Sequence, residues 1–137
     1  SQMQEQKLKK LKVQSPDDRL LDKVMKVIND NLGNPDLNVE MIATEVGISR
    51  VHLHRKLKEL TNQSTRDLIR NVRLKQAASL LANQYHNITE VASLTGFTNI
   101  AYFSTAFKEL YGVPPTSYME EQQKSSFSDG DKIEQQN

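Results

Sequence analysis

The sequence predicts an all-α protein of about seven helices, and three observations support this fold class. Apolar residues recur with a period of about 3.6 residues in successive segments, which is the spacing of an amphipathic helix. Most of these segments begin at a Ser or Asn that can cap a helix and end at a Gly or Asn. No segment alternates apolar and polar residues over the length of a strand.

The first three helices are predicted over about residues 16–32, 39–46 and 50–60. Each begins after a side chain that can accept a hydrogen bond from the first turn, and each ends where a residue tolerates left-handed backbone. The N-caps are Ser15, Asn38 and Ser49, and the terminating residues are Gly33, Gly47 and Asn62. Pro16 supports the first start, because proline fits the first helical position.

Four further helices are predicted over about residues 65–82, 88–95, 99–111 and 115–123. Ser64 caps the long helix of this group, Asn87 caps the next, and Gly96 closes that one. The chain begins at Ser1 rather than Met, and we expect residues 1–14 to be a linker from an upstream domain. Residues 124–137 hold only two large apolar residues and are expected to form a disordered tail.

Length and composition exclude several classes of protein. The chain has 137 residues, which corresponds to one domain or two very small ones. It contains no cysteine, so disulfides and thiolate metal sites are excluded. No apolar run approaches the ~18–20 residues that a membrane-spanning helix needs. We expect a cytoplasmic location, although a full-length protein could be anchored to the membrane upstream.

An internal repeat divides the chain. A shift of 49 residues aligns the second helix and its turn with the fifth, and a shift of 50 aligns the following helices, because one residue is inserted after the turn. The matches include Ala43 with Ala92, Gly47 with Gly96, Ser49 with Thr98, Leu53 with Phe103, Leu57 with Phe107, and residues 58–60 with 108–110. Each unit has the helix-turn-helix plan, in which Ser49 or Thr98 caps the second helix.

The repeat predicts two helix-turn-helix subdomains in a homeodomain-like arrangement. The first subdomain is expected over residues 15–63 and the second over residues 84–123. A long connecting helix over residues 64–83 would join them.

Charge is distributed unevenly along the chain, although the net charge is only +1. Residues 50–75 carry eight Lys or Arg against two Asp or Glu, whereas the segments before and after this block are net negative. Such a block indicates a surface for phosphates. A solvated helix face would show the same composition, so charge alone leaves both interpretations open.

Three segments carry a family resemblance. Gly96 to Tyr118, Ile42 to Arg55 and Arg73 to Leu81 resemble the signature, the first helix-turn-helix and the connecting helix of AraC/XylS-type transcription regulators. The resemblance covers about residues 16–122 and implies sequence-specific binding of double-stranded DNA, with two recognition helices in successive major grooves. The stretch from Ser15 onward is also similar to the output end of bacterial hybrid two-component regulators.

Helical geometry predicts which side chains face the DNA. In the third helix Leu53, Leu57 and Leu60 define the buried side, and in the sixth helix Phe103, Phe107 and Leu110 do so. The predicted DNA-binding residues lie on the opposite faces and at the helix starts: Ser49, Arg50, Val51, His54, Arg55, Lys58, Thr98, Asn99, Ile100, Ala101, Ser104, Thr105 and Lys108.

These residues have different predicted roles. Arg55 can form a forked contact with guanine, and the apolar Val51, Ile100 and Ala101 can contact thymine methyl groups. His54 can donate to a base or a phosphate. Ser49, Thr98 and the helix N-termini suit phosphates. Thr105 stands where the family commonly has a basic residue.

Three arginines form one stripe on the connecting helix, because Arg66, Arg70 and Arg73 are spaced i, i+4 and i+7. Two interpretations are open for this stripe. The arginines contact DNA phosphates, or they pair internally with Asp67, Asp22 or Glu59.

The resemblance also implies partners beyond DNA. It predicts an upstream receiver or sensor domain in the same chain, homodimers formed through upstream domains, and RNA polymerase as a further partner, with activation favoured over repression. This fragment is not expected to be an enzyme, although a full-length hybrid regulator could include a histidine kinase. We predict no cofactor, no metal and no membrane contact by this fragment.

Two other functions are consistent with the sequence. A helical protein-interaction module with weak or lost DNA binding would suit the acidic second half. A small-molecule sensor is a third option, but helix packing uses the core positions, so a sensor domain is expected upstream. His52 and His54 lie about 200° apart around their helix and therefore cannot bind one metal from one face.

Overall fold

The computed structural model describes residues 13–83 and 86–135, and these form seven helices. The helices are α1 (Pro16–Asp30), α2 (Val39–Val46), α3 (Arg50–Thr61), α4 (Thr65–Ala82), α5 (Ile88–Leu94), α6 (Ile100–Tyr111) and α7 (Pro115–Gln135). The all-α prediction is confirmed. In the described ranges, every helix is too short or too polar to cross a bilayer.

Most helix starts are capped by the side chains that the sequence predicts. Ser15 Oγ accepts a hydrogen bond from the Asp18 amide at 3.1 Å, and Ser49 Oγ accepts one from the His52 amide at 3.1 Å. Asn38, Ser64 and Asn87 cap α2, α4 and α5 in the same way. These bonds satisfy amides that would otherwise have no partner in the first turn.

The cap of α6 differs from the prediction. Asn99 rather than Thr98 is the N-cap, and its Oδ1 accepts a hydrogen bond from the Tyr102 amide at 2.9 Å. The residue inserted after the turn explains the difference, because the register of 50 places Ser49 on Asn99. Thr98 lies exposed in the turn before the cap.

The C-terminal end of the last helix also differs from the prediction. The last helix continues to Gln135, well past the predicted end at residue 123, so most of the segment expected to be a disordered tail is helical. Pro115 fits the first helical position, and no further proline interrupts the residues that follow. The predicted linker over residues 1–14 lies almost entirely outside the described residues.

Two hydrophobic clusters form the core, and α4 contributes to both. The first cluster joins α1, α2 and α3 to the N-terminal half of α4, and includes Val24, Ile28, Leu53 and Leu57. The second joins α5, α6 and the start of α7 to the C-terminal half of α4, and includes Phe103 and Phe107. α4 packs against α1, α3, α5, α6 and α7, so it acts as the common support for both helix-turn-helix units.

Two leucines expected to be buried are not. Leu60 is half-buried near the end of α3, and Leu110 is 46% exposed near the end of α6. Each lies in the last turn of its helix, where no neighbouring helix covers it fully. The other predicted core positions of these helices, Leu53, Leu57, Phe103 and Phe107, are fully buried.

Candidate nucleic-acid interface

The outer face of α3 gathers predicted DNA-binding residues. Leu53 and Leu57 point into the core, which turns the opposite side of the helix to solvent. Five predicted residues line one shallow depression on this side: Arg50, Val51, His54, Arg55 and Lys58. Val51 is 77% exposed, so its side chain is open to an apolar contact.

Two ion pairs connect the flanks of α3 to neighbouring helices. Lys56 turns toward α1, where its Nζ lies 3.2 Å from Asp17 Oδ1. Arg50 Nη1 lies 3.5 Å from Glu40 Oε1 of α2, and both side chains remain largely exposed. Such exposed pairs contribute little stability, ~0–1 kcal/mol, so Arg50 is readily released to another anion.

His54 is fixed by a residue outside the predicted set. Its Nδ1 lies 3.0 Å from Thr65 Oγ1, and Thr65 is completely buried at the first position of α4. The bond orients the imidazole and leaves Nε2 for a ligand. No sequence signal pointed to Thr65, because its contact with His54 depends on how α3 meets α4.

The N-terminal part of α6 presents a less charged surface. Ile100 is 40% exposed, Ala101 and Thr105 are exposed, and Ser104 is half-buried. Lys108 is exposed one turn further along. Behind this face Phe103 packs against Phe97 and Phe107, with ring centroids 4.9 Å and 5.9 Å away. The aromatic core therefore fixes a helix whose outer face combines apolar and polar side chains and carries little charge.

The arginine stripe of α4 separates into different roles. Arg66 is exposed, and Arg70 Nη2 lies 3.4 Å from Asp67 Oδ1, so the internal ion pair predicted for this stripe forms at Arg70. Arg66 and Arg70 line a groove between the two units together with Thr98 and Asn99 at the start of α6. This groove combines cationic side chains with a helix N-terminus, which suits a phosphate.

Both interpretations of the stripe are wrong for Arg73. It is only 6% exposed, so it is not available to a DNA phosphate. Its guanidinium donates to the backbone carbonyls of Leu32, Asn34 and Thr95 rather than to a carboxylate. Burial lowers the pKa of the Arg73 guanidinium below its ordinary value. Spacing places all three arginines on one stripe, but the packing of two units against α4 buries only this one.

Among the described residues, no group of three or more His, Asp or Glu side chains is placed to hold a metal ion. His52 and His54 project from different sides of α3. The hydrogen bond with Thr65 also engages Nδ1 of His54. The chemistry offered by α3 is therefore hydrogen bonding, charge and apolar contact.

Comparison with known proteins agrees with this geometry. The family model described as a helix-turn-helix domain matches residues 42–121, which is more than half of the chain. An uncharacterised HTH-type transcriptional regulator in the cgkA 5' region of Pseudoalteromonas carrageenovora is 33% identical over 128 residues, covering 93% of this chain and 70% of that protein. The chain belongs to the AraC-type helix-turn-helix family.

Two further comparisons match this chain to part of a larger protein. The C-terminal domain of AraT, a response regulator from Geobacillus stearothermophilus, is 32% identical and superimposes with a TM-score of 0.69, covering 78% of this chain and 86% of that one. Histidine kinase P4 of Formosa agariphila is 35% identical over 106 residues, which are 77% of this chain and 8% of that protein. The AraC-type chain thus spans a small part of that relative.

Proposed function

We propose that this chain is the sequence-specific DNA-binding output domain of a bacterial transcription regulator, with α3 and α6 in two successive major grooves. The observation that carries the proposal is the pair of helix-turn-helix units on one helix, each with the outer face of its longer helix open to solvent. The 18 residues of α4 span about 27 Å at ~1.5 Å per residue. This length is comparable with one DNA turn of ~34 Å.

The proposed division into units follows the repeat. Residues 15–63 would form the first subdomain, residues 64–83 the connecting helix and residues 84–123 the second subdomain. The separation of the core into two clusters that share α4 supports this division.

The two recognition helices would read DNA differently. Arg50 and Arg55 supply charge on α3, whereas the repeat-equivalent positions of α6 hold Ile100 and Thr105. We propose that Arg55 binds guanine in one groove, with discrimination of ~1–3 kcal/mol, and that α6 reads mainly thymine methyl groups in the other. The remaining proposed contacts are Ser49, Arg50, Val51, His54, Thr98, Asn99, Ser104 and Lys108, with Arg66 and Arg70 at phosphates.

Selection from a randomised duplex pool tests the proposal. The 137-residue chain is incubated with the pool at two salt concentrations, and bound duplexes are sequenced. We expect an enriched motif of two short boxes about one turn apart, with binding that weakens steeply as salt increases. An absence of both enrichment and salt-sensitive binding would rule out the proposal.

A matched pair of variants assigns the contact on α3. Arg55→Ala is expected to remove the preference at one box, because it deletes the forked donor on the outer face. Lys56→Ala removes the same charge at the neighbouring position, which faces Asp17 on α1, and should leave the preference intact. Equal losses in both variants would show that overall charge, not a base contact, drives binding.

The exposed apolar side chains of α6 favour a second candidate. Ile100, Tyr102 and Leu110 are each 40–49% exposed, and a protein partner would bury them. In that case the second unit would be a protein-interaction module whose binding is insensitive to salt. Enrichment of only one box in the selection would be the first indication of this function.

The wider assignments rest on the family resemblance. We propose that the full protein is a cytoplasmic-side transcriptional activator whose upstream receiver or sensor domain controls dimerisation. Its proposed further partner is RNA polymerase, and this fragment itself is proposed to have no enzymatic activity. The likeness to a response-regulator C-terminal domain and to part of a histidine kinase supports control by phosphorelay. A full-length sequence without an upstream phosphoacceptor aspartate would contradict that control.

A further inference from the structure

Arg73 lies at the boundary between the two halves of the molecule. Val72, the residue before it, packs in the first hydrophobic cluster, and Leu74, the residue after it, packs in the second. Its side chain is therefore the one on α4 that emerges where the two units meet. The three backbone carbonyls that it binds come from both units.

The hydrogen bonds of Arg73 connect the two units directly. Nη2 donates to the carbonyl of Asn34 at 2.8 Å, and Nη1 donates to the carbonyl of Leu32, both in the loop between α1 and α2. Nη1 also donates to the carbonyl of Thr95 at 2.7 Å, just after α5. Because the acceptors are backbone atoms, the guanidinium fixes the backbone of both segments and not merely two mobile side chains.

Gly96 makes this arrangement possible. Its φ is 84°, and a Cβ atom there would overlap Arg73 Nη1 and lie 2.5 Å from the Leu32 carbonyl oxygen. The repeat-equivalent Gly47 has nearly the same backbone, with φ of 79°, yet an added Cβ would meet nothing within 4 Å. The close approach of Arg73 is therefore a property of Gly96 and not of the turn that both units share.

The bonded position is close to the reading surface. Thr95 is followed by the turn of residues 96–98 and then by Asn99, which caps α6. A shift of the Thr95 carbonyl would therefore be transmitted over four residues to the start of the recognition helix. The loop that holds Leu32 and Asn34 likewise connects the first two helices of the other unit.

We infer that Arg73 is a positioning residue that holds the second helix-turn-helix unit at a fixed orientation to the first and thereby sets the separation of DNA boxes that the protein accepts. This inference rests on the proposed two-groove function. Rigid linkage gives the second contact a high effective concentration only when the box spacing matches the protein. Looser linkage would lower the effective concentration at the matching spacing. It would also allow the protein to accept a wider range of box spacings.

A distance measurement tests the coupling without DNA. The chain has no cysteine, so Glu59→Cys and Glu109→Cys give two defined spin-label sites at repeat-equivalent exposed positions. We expect pulsed electron–electron double resonance to show a narrow distribution of label-to-label distances in the parent chain and a clearly broadened distribution with Arg73→Met. Lys75→Met removes the same charge from an exposed position on α4 and should leave the distribution narrow.

Gly96→Ala gives a second route to the same result. Both Gly96→Ala and Gly47→Ala strain a left-handed residue, but only the first displaces Arg73. If Arg73→Met fails to fold by circular dichroism, broadening with Gly96→Ala and none with Gly47→Ala still supports the inference. An unchanged distribution in a folded Arg73→Met chain would overturn it.

Binding to a spacing series links the coupling to DNA. Duplexes carry the two selected boxes with the spacer lengthened or shortened by single base pairs. The parent chain should prefer one spacing, and Arg73→Met should reduce that preference about tenfold while leaving affinity for a single box unchanged. An unaltered preference would overturn the role in spacing. If the parent chain binds no two-box duplex, the proposed function fails, whereas the distance measurement still decides the coupling.

Discussion

His54 Nδ1 is hydrogen-bonded to the hydroxyl of Thr65 at 3.0 Å, across the junction of α3 and α4. Thr65 is the first residue of α4, and its repeat-equivalent at the start of α7 is Pro115. Proline has no hydroxyl, so this bond has no counterpart in the second unit. The first recognition helix therefore holds a ring in a defined orientation, whereas the second has Ser104 at the corresponding position.

Thr65→Pro should weaken the selectivity of the first unit without unfolding it. Proline is well tolerated at the first helical position, and the second unit already has it there. Release of His54 is expected to reduce discrimination at one base pair by up to about tenfold, or about 1.4 kcal/mol. Competition binding between matched and mismatched duplexes measures this change.

Thr65→Ser is the conservative partner of that variant, because it keeps the hydroxyl and should retain the discrimination. Thr61→Val provides a control on α3, since Thr61 Oγ1 donates to the Leu57 carbonyl at 2.7 Å. Discrimination that survives Thr65→Pro but not His54→Ala would show that His54 needs no orientation by Thr65.

Asn99→Ala should destabilise the protein by about 1 kcal/mol, because it removes the side chain that caps α6. Thr98→Ala is expected to change the free energy of unfolding by less than about 0.5 kcal/mol, since Thr98 lies exposed in the turn. Urea unfolding followed by circular dichroism measures both. A larger loss of stability with Thr98→Ala than with Asn99→Ala would show that Thr98 caps α6, as the sequence predicts.

Thr105→Arg should strengthen DNA binding and make it more sensitive to salt. Thr105 is exposed on α6 and is repeat-equivalent to Arg55, so the substitution adds a cation to the weakly charged recognition helix. One new phosphate contact should steepen the slope of log K against log salt by about 0.9. Ser79→Arg adds the same charge at an exposed position on α4 instead of α6. A similar slope of log K against log salt for the two variants would indicate non-specific attraction.

The stability of the second unit should decrease at alkaline pH through Tyr111. Burial, followed by the influence of Tyr118, raises the pKa of Tyr111 above its ordinary value of 10.0. The folded state therefore retains the proton more strongly than the unfolded state. The resulting stabilisation is complete below about pH 10 and is lost as pH rises through the raised pKa.

Thermal unfolding between about pH 8 and pH 11 checks this dependence. Tyr111→Phe should lose less stability over this interval than the parent chain, because its ring keeps the contacts with Phe107 and Tyr118 without an ionisable hydroxyl. Tyr102→Phe, at a tyrosine that is 49% exposed, controls for the loss of a hydroxyl. Identical pH profiles for Tyr111→Phe and the parent would contradict the assignment.

Local features of the sequence were sufficient for most helix boundaries. Ser15, Asn38 and Ser64 cap their helices as predicted, because each cap depends only on amides two or three residues away. Asn62 ends α3 with φ of 58°, as expected for a residue that tolerates left-handed backbone. The displaced cap at Asn99 shows the limit of this reasoning, since a single inserted residue changes the register of the repeat.

The candidate interface was predictable in part. The outward positions of Val51, Arg55 and Lys58 follow from the helical period and the buried Leu53 and Leu57. Whether an outward side chain has an intramolecular partner could not be predicted. Asp17, Glu40 and Thr65 each approach α3 from another helix, and their contacts depend on the angles at which those helices cross.

The sequence by itself determined the helices, the repeat and the faces that the recognition helices bury, because capping and periodicity act over a few neighbouring residues. Only the tertiary structure decided the role of Arg73, which on spacing alone belongs with Arg66 and Arg70. Its three acceptors lie 22 to 41 residues away along the chain. They converge because two hydrophobic clusters pack on opposite halves of α4 and bring the α1–α2 loop against the end of α5.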